Sequence, residues 1–178
     1  MKQRGFSLIE VLVTLLLTAI GLLGMVAMQV KSQEYQIESI ERNTAVTLAN
    51  ELIEVLRSHR DELYHNRPPE AYGYSHLKSD TVFYGSNGSP KFSAGDCDLS
   101  TAKGQAGCVL KRIEKNLMGG KVERLCPSFN ENYDCATNYQ GSTLMLKLSW
   151  DTREACPEPS TSSSEHNNLC TYTVRVEL

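Results

Sequence analysis

Proline is absent from this chain until Pro68, and no cysteine precedes Cys97. The first absence leaves everything up to Pro68 free to continue as helix, because no ring removes a backbone donor or clashes with the preceding turn. The second confines any covalent cross-link to the last half. Positive charge is scarce: 18 Lys and Arg face 21 Asp and Glu, for a net charge of −3. No basic surplus supports nucleic-acid binding as the main task. No two cysteines have the Cys-x-x-Cys spacing that zinc sites favour. There is no nucleophile elbow and no phosphate loop. The four histidines, His59, His65, His76 and His166, are scattered among polar segments. They are expected to be surface residues, not metal ligands. Tyr72, Tyr74, Tyr84, Tyr133 and Tyr139 are expected to pack in the core or at its rim. No catalytic residue, metal or cofactor is expected, and the chain is expected not to be an enzyme.

What the chain does have stands at its front. From Phe6 to Val30 it is apolar apart from Glu10 and a few small or neutral polar residues. A run of about 25 residues is long enough to cross a bilayer. It exceeds the apolar core of a secretory signal peptide, which is about 7–15 residues. Lys2 and Arg4 precede it, so the positive-inside rule puts the N-terminus in the cytoplasm. Glu10 is the anomaly. A lone carboxylate inside a span costs about 2.5–3.5 kcal/mol on insertion scales, so a partner is expected. A plain membrane anchor gains nothing from it.

The order of residues around Glu10 is specific. A short basic leader ends in Gly5, followed by Phe6-Ser7-Leu8-Ile9-Glu10. Val11 to Gly24 then contains only Val, Leu, Thr, Ala, Ile and Gly. This resembles the class III signal of type IV prepilins and pseudopilins. The resemblance implies a prepilin peptidase that cuts between Gly5 and Phe6 and methylates the new amine of Phe6. It also implies that Glu10 pairs with the terminal ammonium of a neighbouring subunit. Such a pair would cancel two buried charges and fix axial register. The plainer role of a first-turn acid, facing the positive end of its own helix, is worth about 0.3–1 kcal/mol.

The chain is most similar to minor pilins of the PilV type. Gly21-Leu22-Leu23-Gly24, the helix exit Glu51-Leu52-Ile53-Glu54, six cysteines and the lack of a proline in the membrane half carry that likeness. It implies a subunit that primes pilus assembly and supports twitching motility and attachment. The implied partners are other minor pilins, the major pilin and the inner-membrane assembly platform. A type II secretion pseudopilin shares the whole N-terminal signal and stands as the alternative. A signal-anchored periplasmic binding protein or enzyme is the third reading.

The organisation follows from pattern. Residues 1–5 form the leader, 6–30 the apolar half of a helix, 31–65 its amphipathic half and 66–178 a globular head. Ile37, Ile40, Ala45, Leu48, Leu52, Val55 and Leu56 recur mostly at spacings of three and four, which predicts one helix from Phe6 to about Arg60. Asn66-Arg67-Pro68-Pro69 ends it. Thr143–Trp150 and Thr171–Leu178 alternate apolar and polar residues and predict two antiparallel strands. A weaker hairpin is expected at 81–84 with its turn at Asn87-Gly88. A short helix is expected over 109–118, and a further strand over 121–125. The fold class is therefore α+β: a long helix on an antiparallel sheet with disulfide-closed loops. Cys97, Cys108, Cys126, Cys135, Cys156 and Cys170 suit an exported domain in an oxidising compartment, which places the head in the periplasm. Six cysteines allow 15 pairings. The sequential set, 97–108, 126–135 and 156–170, closes polar loops without crossing an expected element.

Overall fold

The computed structural model describes residues 7–65, 76–128, 135, 141–152 and 168–178. The chain divides into two compact units, Met1–Ile40 and Glu41–Leu178. One element, helix α1 (Leu8–Ser58), runs through both. Its character changes along its length as the sequence dictates. In the first unit its large apolar side chains are exposed, from Leu8 onward. In the second unit it is one-sided, burying Ala45, Leu48, Ala49, Leu52, Ile53 and Leu56.

The expected apolar stripe starts too early. Ile37 and Ile40 remain 54% and 63% exposed. Both lie before Glu41, in the first of the two units, and the buried stripe begins in the second at Ala45. The end of α1 also differs by a few residues from the expected one. In a regular helix the His59 amide would bond the Val55 carbonyl. Here Ser58 Oγ donates to that carbonyl at 2.8 Å, and His59 Nδ1 lies 3.0 Å from it. The His59 amide turns to Leu56 instead, at 3.1 Å. Side chains have taken the acceptor that the next turn needed, so the helix stops. A single further turn, α2 (Arg60–Leu63), follows.

The sheet has three antiparallel strands in the order β1 (Lys121–Pro127), β2 (Thr143–Asp151) and β3 (Leu169–Glu177). Leu144, Leu146, Leu148 and Trp150 of β2 lie on one face. They stand opposite Val176, Val174, Tyr172 and Cys170 of β3. On the other side Leu148, Leu146 and Leu144 meet Val122, Leu125 and Pro127 of β1. This face joins the buried residues of α1 in one apolar core. A register shift between Val122 and Arg124 marks a bulge. It leaves Glu123 paired with Lys147 across the strands at 3.2 Å. The architecture is the α+β, pilin-like arrangement expected from the sequence: a long helix, apolar at its N-terminal end, with an antiparallel sheet sharing its core.

Helix α3 (Ala102–Asn116) is longer at its start than the expected 109–118. Thr101 caps it, accepting the Gly104 amide at 3.0 Å. The added turns are rich in glycine, which weakens a helical signal in sequence. Here the glycines are needed for contact. A Cβ on Gly104 would stand 2.1 Å from the Asp98 carbonyl oxygen, and one on Gly107 2.7 Å from that of Ser93. The segment pressed against them is a short 3₁₀ turn (Ala94–Asp96), closed by reciprocal bonds between Ser93 and Asp96. The Ser93 hydroxyl and amide both donate to Asp96 and hold its carboxyl below the usual carboxylate range. Arg112 of α3 pairs with Glu51 of α1.

The expected hairpin at 81–84 does not form as paired strands. The Thr81 hydroxyl accepts the amides of Phe83 and Tyr84, which folds that stretch into a turn of its own. The tight turn at Asn87-Gly88 is present. The Gly85 amide donates to Ser89 O at 2.9 Å, and Gly88 takes φ +77°. Asn87 Oδ1 accepts both the amide and the hydroxyl of Ser89. Pairing is reduced to one bridge, Tyr84 to Pro90, since proline has no amide to extend a ladder.

Two alanine substitutions separate helix propensity from fit. Gly104→Ala should destabilise the head by about 1–3 kcal/mol, because overpacking outweighs the gain in helical propensity. Gly21→Ala meets nothing within 4 Å and should cost no stability. Denaturant unfolding of the detergent-solubilised protein, followed by head-specific Trp150 fluorescence, checks both. Equal midpoints for Gly104→Ala and the parent would contradict the contact.

Candidate functional site

The site is built on the first turns of α1. The Ser7 carbonyl accepts the amides of Glu10 at 3.0 Å and Val11 at 3.4 Å, which starts the helix at Leu8. Glu10 falls in that first turn, where the helix dipole favours an acid. It is the only charged residue between Leu8 and Val30. Its side chain has no partner among the described residues, and it is exposed. The expected cleavage residues, Gly5 and Phe6, lie outside the described residues. Lys31, at the far end of the apolar run, pairs with Glu34 at 2.6 Å.

Helical geometry adds something that the linear motif does not display. At 3.6 residues per turn, Ser7, Glu10, Thr14, Thr18, Gly21 and Gly24 fall within roughly 120° of one face. Leu17, Met25 and Met28 share this arc, and the rest of the surface from Leu8 to Val30 carries Leu, Ile, Val and Ala apart from Gln29. The two threonines do not make this face wet. Thr14 Oγ1 donates to the Val11 carbonyl at 2.8 Å and Thr18 Oγ1 to that of Leu15 at 2.9 Å. The polar groups of the face are thus internally satisfied, except for one carboxylate at its N-terminal end that has no partner among the described residues. A carboxylate so placed in an apolar run suits a cation brought by another helix. Reading the segment by angle, not by order, is the signal that finds Thr14 and Thr18.

In the head, two disulfides join Cys97 to Cys108 and Cys126 to Cys135, both pairs adjacent along the chain. Cys170 is also disulfide-bonded. The expected pair 156–170 lies partly outside the described residues, because Cys156 is not among them. The polar loop expected at 157–168 is outside them too, except for Asn168. The second disulfide has a further task. Gly88 is seated so closely on it that a Cβ there would stand 2.3 Å from Cys135 Sγ. The Gly88 carbonyl accepts the Leu125 amide at 2.9 Å, so this turn covers part of the β1 edge. Tyr84, beside the turn, is fully buried, and burial raises its phenol well above the ordinary range. Its hydroxyl donates to the Lys78 carbonyl at 3.0 Å. Among the described residues no group of three or more His, Cys, Asp or Glu is placed to hold a metal.

Comparison with known proteins bears on the front of the chain. The prokaryotic N-terminal methylation motif matches residues 1–26. With the helix and sheet described above, it supports a type IV pilin-like protein, of the pilin and pseudopilin class. The motif implies processing by a prepilin peptidase and association with a membrane. Among the described residues one helix, α1, is long and apolar enough to cross a membrane, which fits a single-pass anchor. No curated protein and no solved structure matches the chain.

Each disulfide closes a short loop, so its loss should cost about 3 kcal/mol on chain-entropy grounds. The double substitutions Cys97→Ser/Cys108→Ser and Cys126→Ser/Cys135→Ser should each lower the thermal midpoint of the oxidised protein. The second should in addition free the turn at Gly88, seen as faster hydrogen exchange at the Leu125 amide. Unchanged exchange there would show that the turn does not depend on the bond.

Proposed function

We propose that this protein is a minor pilin subunit of a type IV pilus, of the PilV type. The single observation that carries the reading is the methylation motif over residues 1–26, joined to a helix that continues into an α+β head. Before assembly the subunit sits in the inner membrane with its N-terminus in the cytoplasm and its head in the periplasm. The disulfides support that compartment. Prepilin peptidase cuts after Gly5 and methylates Phe6. The new ammonium of a neighbouring subunit then meets Glu10, which neutralises the only charge in the apolar run. The protein joins other minor pilins, primes assembly of the major pilin on the inner-membrane platform, and so supports twitching motility and attachment. Its role is structural, not enzymatic.

A deletion strain tests the reading against the pseudopilin alternative, since the N-terminal signal is common to both. Loss of surface pili and twitching with normal protein secretion is the expected result. Loss of secretion with intact pili would assign the chain to a type II secretion system.

Processing is checked by mass spectrometry of the membrane-extracted protein. The expected N-terminus is a methylated Phe6, and a bulky residue at Gly5 should leave uncut precursor. An intact leader on the parent protein would contradict the proposal. Glu10→Ala removes an insertion cost of about 2.5–3.5 kcal/mol, so the variant should reach the membrane as well as the parent. It should nevertheless fail to restore piliation to the deletion strain, because the neighbour's ammonium has lost its partner. Full restoration would remove Glu10 from the assembly step.

A further inference from the structure

Outside the helix N-terminus, one pair of side chains in the head is arranged for chemistry that the proposed function does not use. His65 and His76 stand with ring centroids 4.6 Å apart and ring planes tilted by 46°. They are not neighbours by accident of flexible loops. Tyr64 and Leu77 form an isolated antiparallel bridge, and His65 and His76 are the next residues outward on its two arms. The bridge is fixed from inside. Tyr64 and Leu77 are 3% and 2% exposed. The Tyr64 hydroxyl donates to the Leu178 carbonyl at 2.7 Å. The Lys78 amide donates to Leu63 O at 2.8 Å, and the Leu77 amide to Gly141 O at 3.0 Å. Cross-strand neighbours on so short a bridge keep their separation without help from the side chains.

The rings themselves are uncommitted. Neither His65 nor His76 makes a hydrogen bond or ion pair among the described residues. His65 is exposed and His76 half-buried, so both can be reached from solvent. The nearest strong cation on the same arm, Lys78, is turned away, its ammonium on the carbonyls of Asp61 and Glu62 at 3.4 and 3.2 Å. His59 is spent on Val55 and Ser58, and the lysines Lys91 and Lys103 are paired with Asp80 and Asp96.

We propose that His65 and His76 form a two-imidazole clip for a divalent transition-metal ion of the imidazole-preferring kind, Cu²⁺ or Zn²⁺. With metal–nitrogen bonds of about 2.0–2.1 Å, two imidazoles sharing one ion have ring centres about 4.5 Å apart at the right angle of a tetragonal Cu²⁺ site and about 5.2 Å apart at the tetrahedral angle of Zn²⁺. The pair stands at the first separation, and a small rotation of either ring reaches the second. Water or a ligand from another molecule fills the remaining positions on the ion. Binding ties residue 65 to residue 76 and therefore clamps the Tyr64–Leu77 bridge. It requires neutral imidazoles, so acidification releases the ion.

The test uses the full-length protein in detergent, free of chelator, with its disulfides intact. Zn²⁺ is titrated calorimetrically into the parent, His65→Gln, His76→Gln, the double variant and a His166→Gln control. The expected result is at least a tenfold loss of affinity in each single variant, no further loss in the double, and parent affinity in the control. Electron paramagnetic resonance of the Cu²⁺-loaded protein gives a second readout that does not depend on stability. Two coupled imidazole nitrogens are expected in the parent and one in each single variant. A smaller loss of Zn²⁺ affinity in either variant overturns the clip. So does a Cu²⁺ spectrum that keeps both nitrogens when one of the two histidines is gone.

Discussion

From Leu8 to Ser58 the backbone hydrogen-bonds within one helix, and the rest of the molecule depends on that continuity. In a hydrocarbon environment a segment must satisfy its own amides and carbonyls, since each unpaired group costs several kcal/mol. The absence of proline before Pro68 is what permits it. The same helix then supplies one wall of a water-soluble core, where only a stripe needs to be apolar. One helical element carries both roles. The sequence changes from all-round aliphatic to one-sided, while the backbone stays the same. Thr14 and Thr18 obey the rule in miniature by returning their hydroxyls to their own helix.

The head is a small body held by two kinds of restraint. Apolar residues of α1, α3 and the sheet share one core. Glycine contacts and disulfides then fasten the irregular segments to it. Gly104 and Gly107 bring α3 against the turn at 93–98, and Cys97–Cys108 locks the same contact covalently. Gly88 performs the matching task at the β1 edge, resting on Cys126–Cys135. Glycine provides the proximity and sulfur makes it permanent. A three-stranded sheet with so much loop around it would be marginal on burial alone.

Much of this was legible from residue order because it depends on local periodicity. The long helix, β2 and β3 repeat their pattern over many residues, and α1 and both strands appear within a few residues of their expected bounds. The first two disulfides link cysteines that are neighbours in sequence, so adjacency was enough to pair them. The errors come from contacts between distant segments. Gly104 and Gly107 look like helix breakers until the carbonyls of Asp98 and Ser93 are seen against them. Ile37 and Ile40 continue an apolar stripe whose buried part begins only at Ala45, a boundary that periodicity does not contain. The α1 stop at Ser58 turns on two side chains competing for one carbonyl. At the candidate site, the motif marked Glu10 by position. The face that Glu10 shares with Thr14, Thr18 and Gly21 emerges only once the segment is wound at helical pitch.

The covalent loop between Cys97 and Cys108 has a bearing on resistance to proteolysis. Leu99 lies inside it and is 75% exposed, an inviting place for a protease to cut. Hydrolysis of the chain there would not divide the protein. The two pieces would stay tethered through sulfur, and the helix beyond the nick would stay in its place in the core. The nicked molecule would weigh one water more and travel as a single band until a reductant separated it. A chain cross-linked in this way would thus survive a cut that would divide an uncrosslinked one.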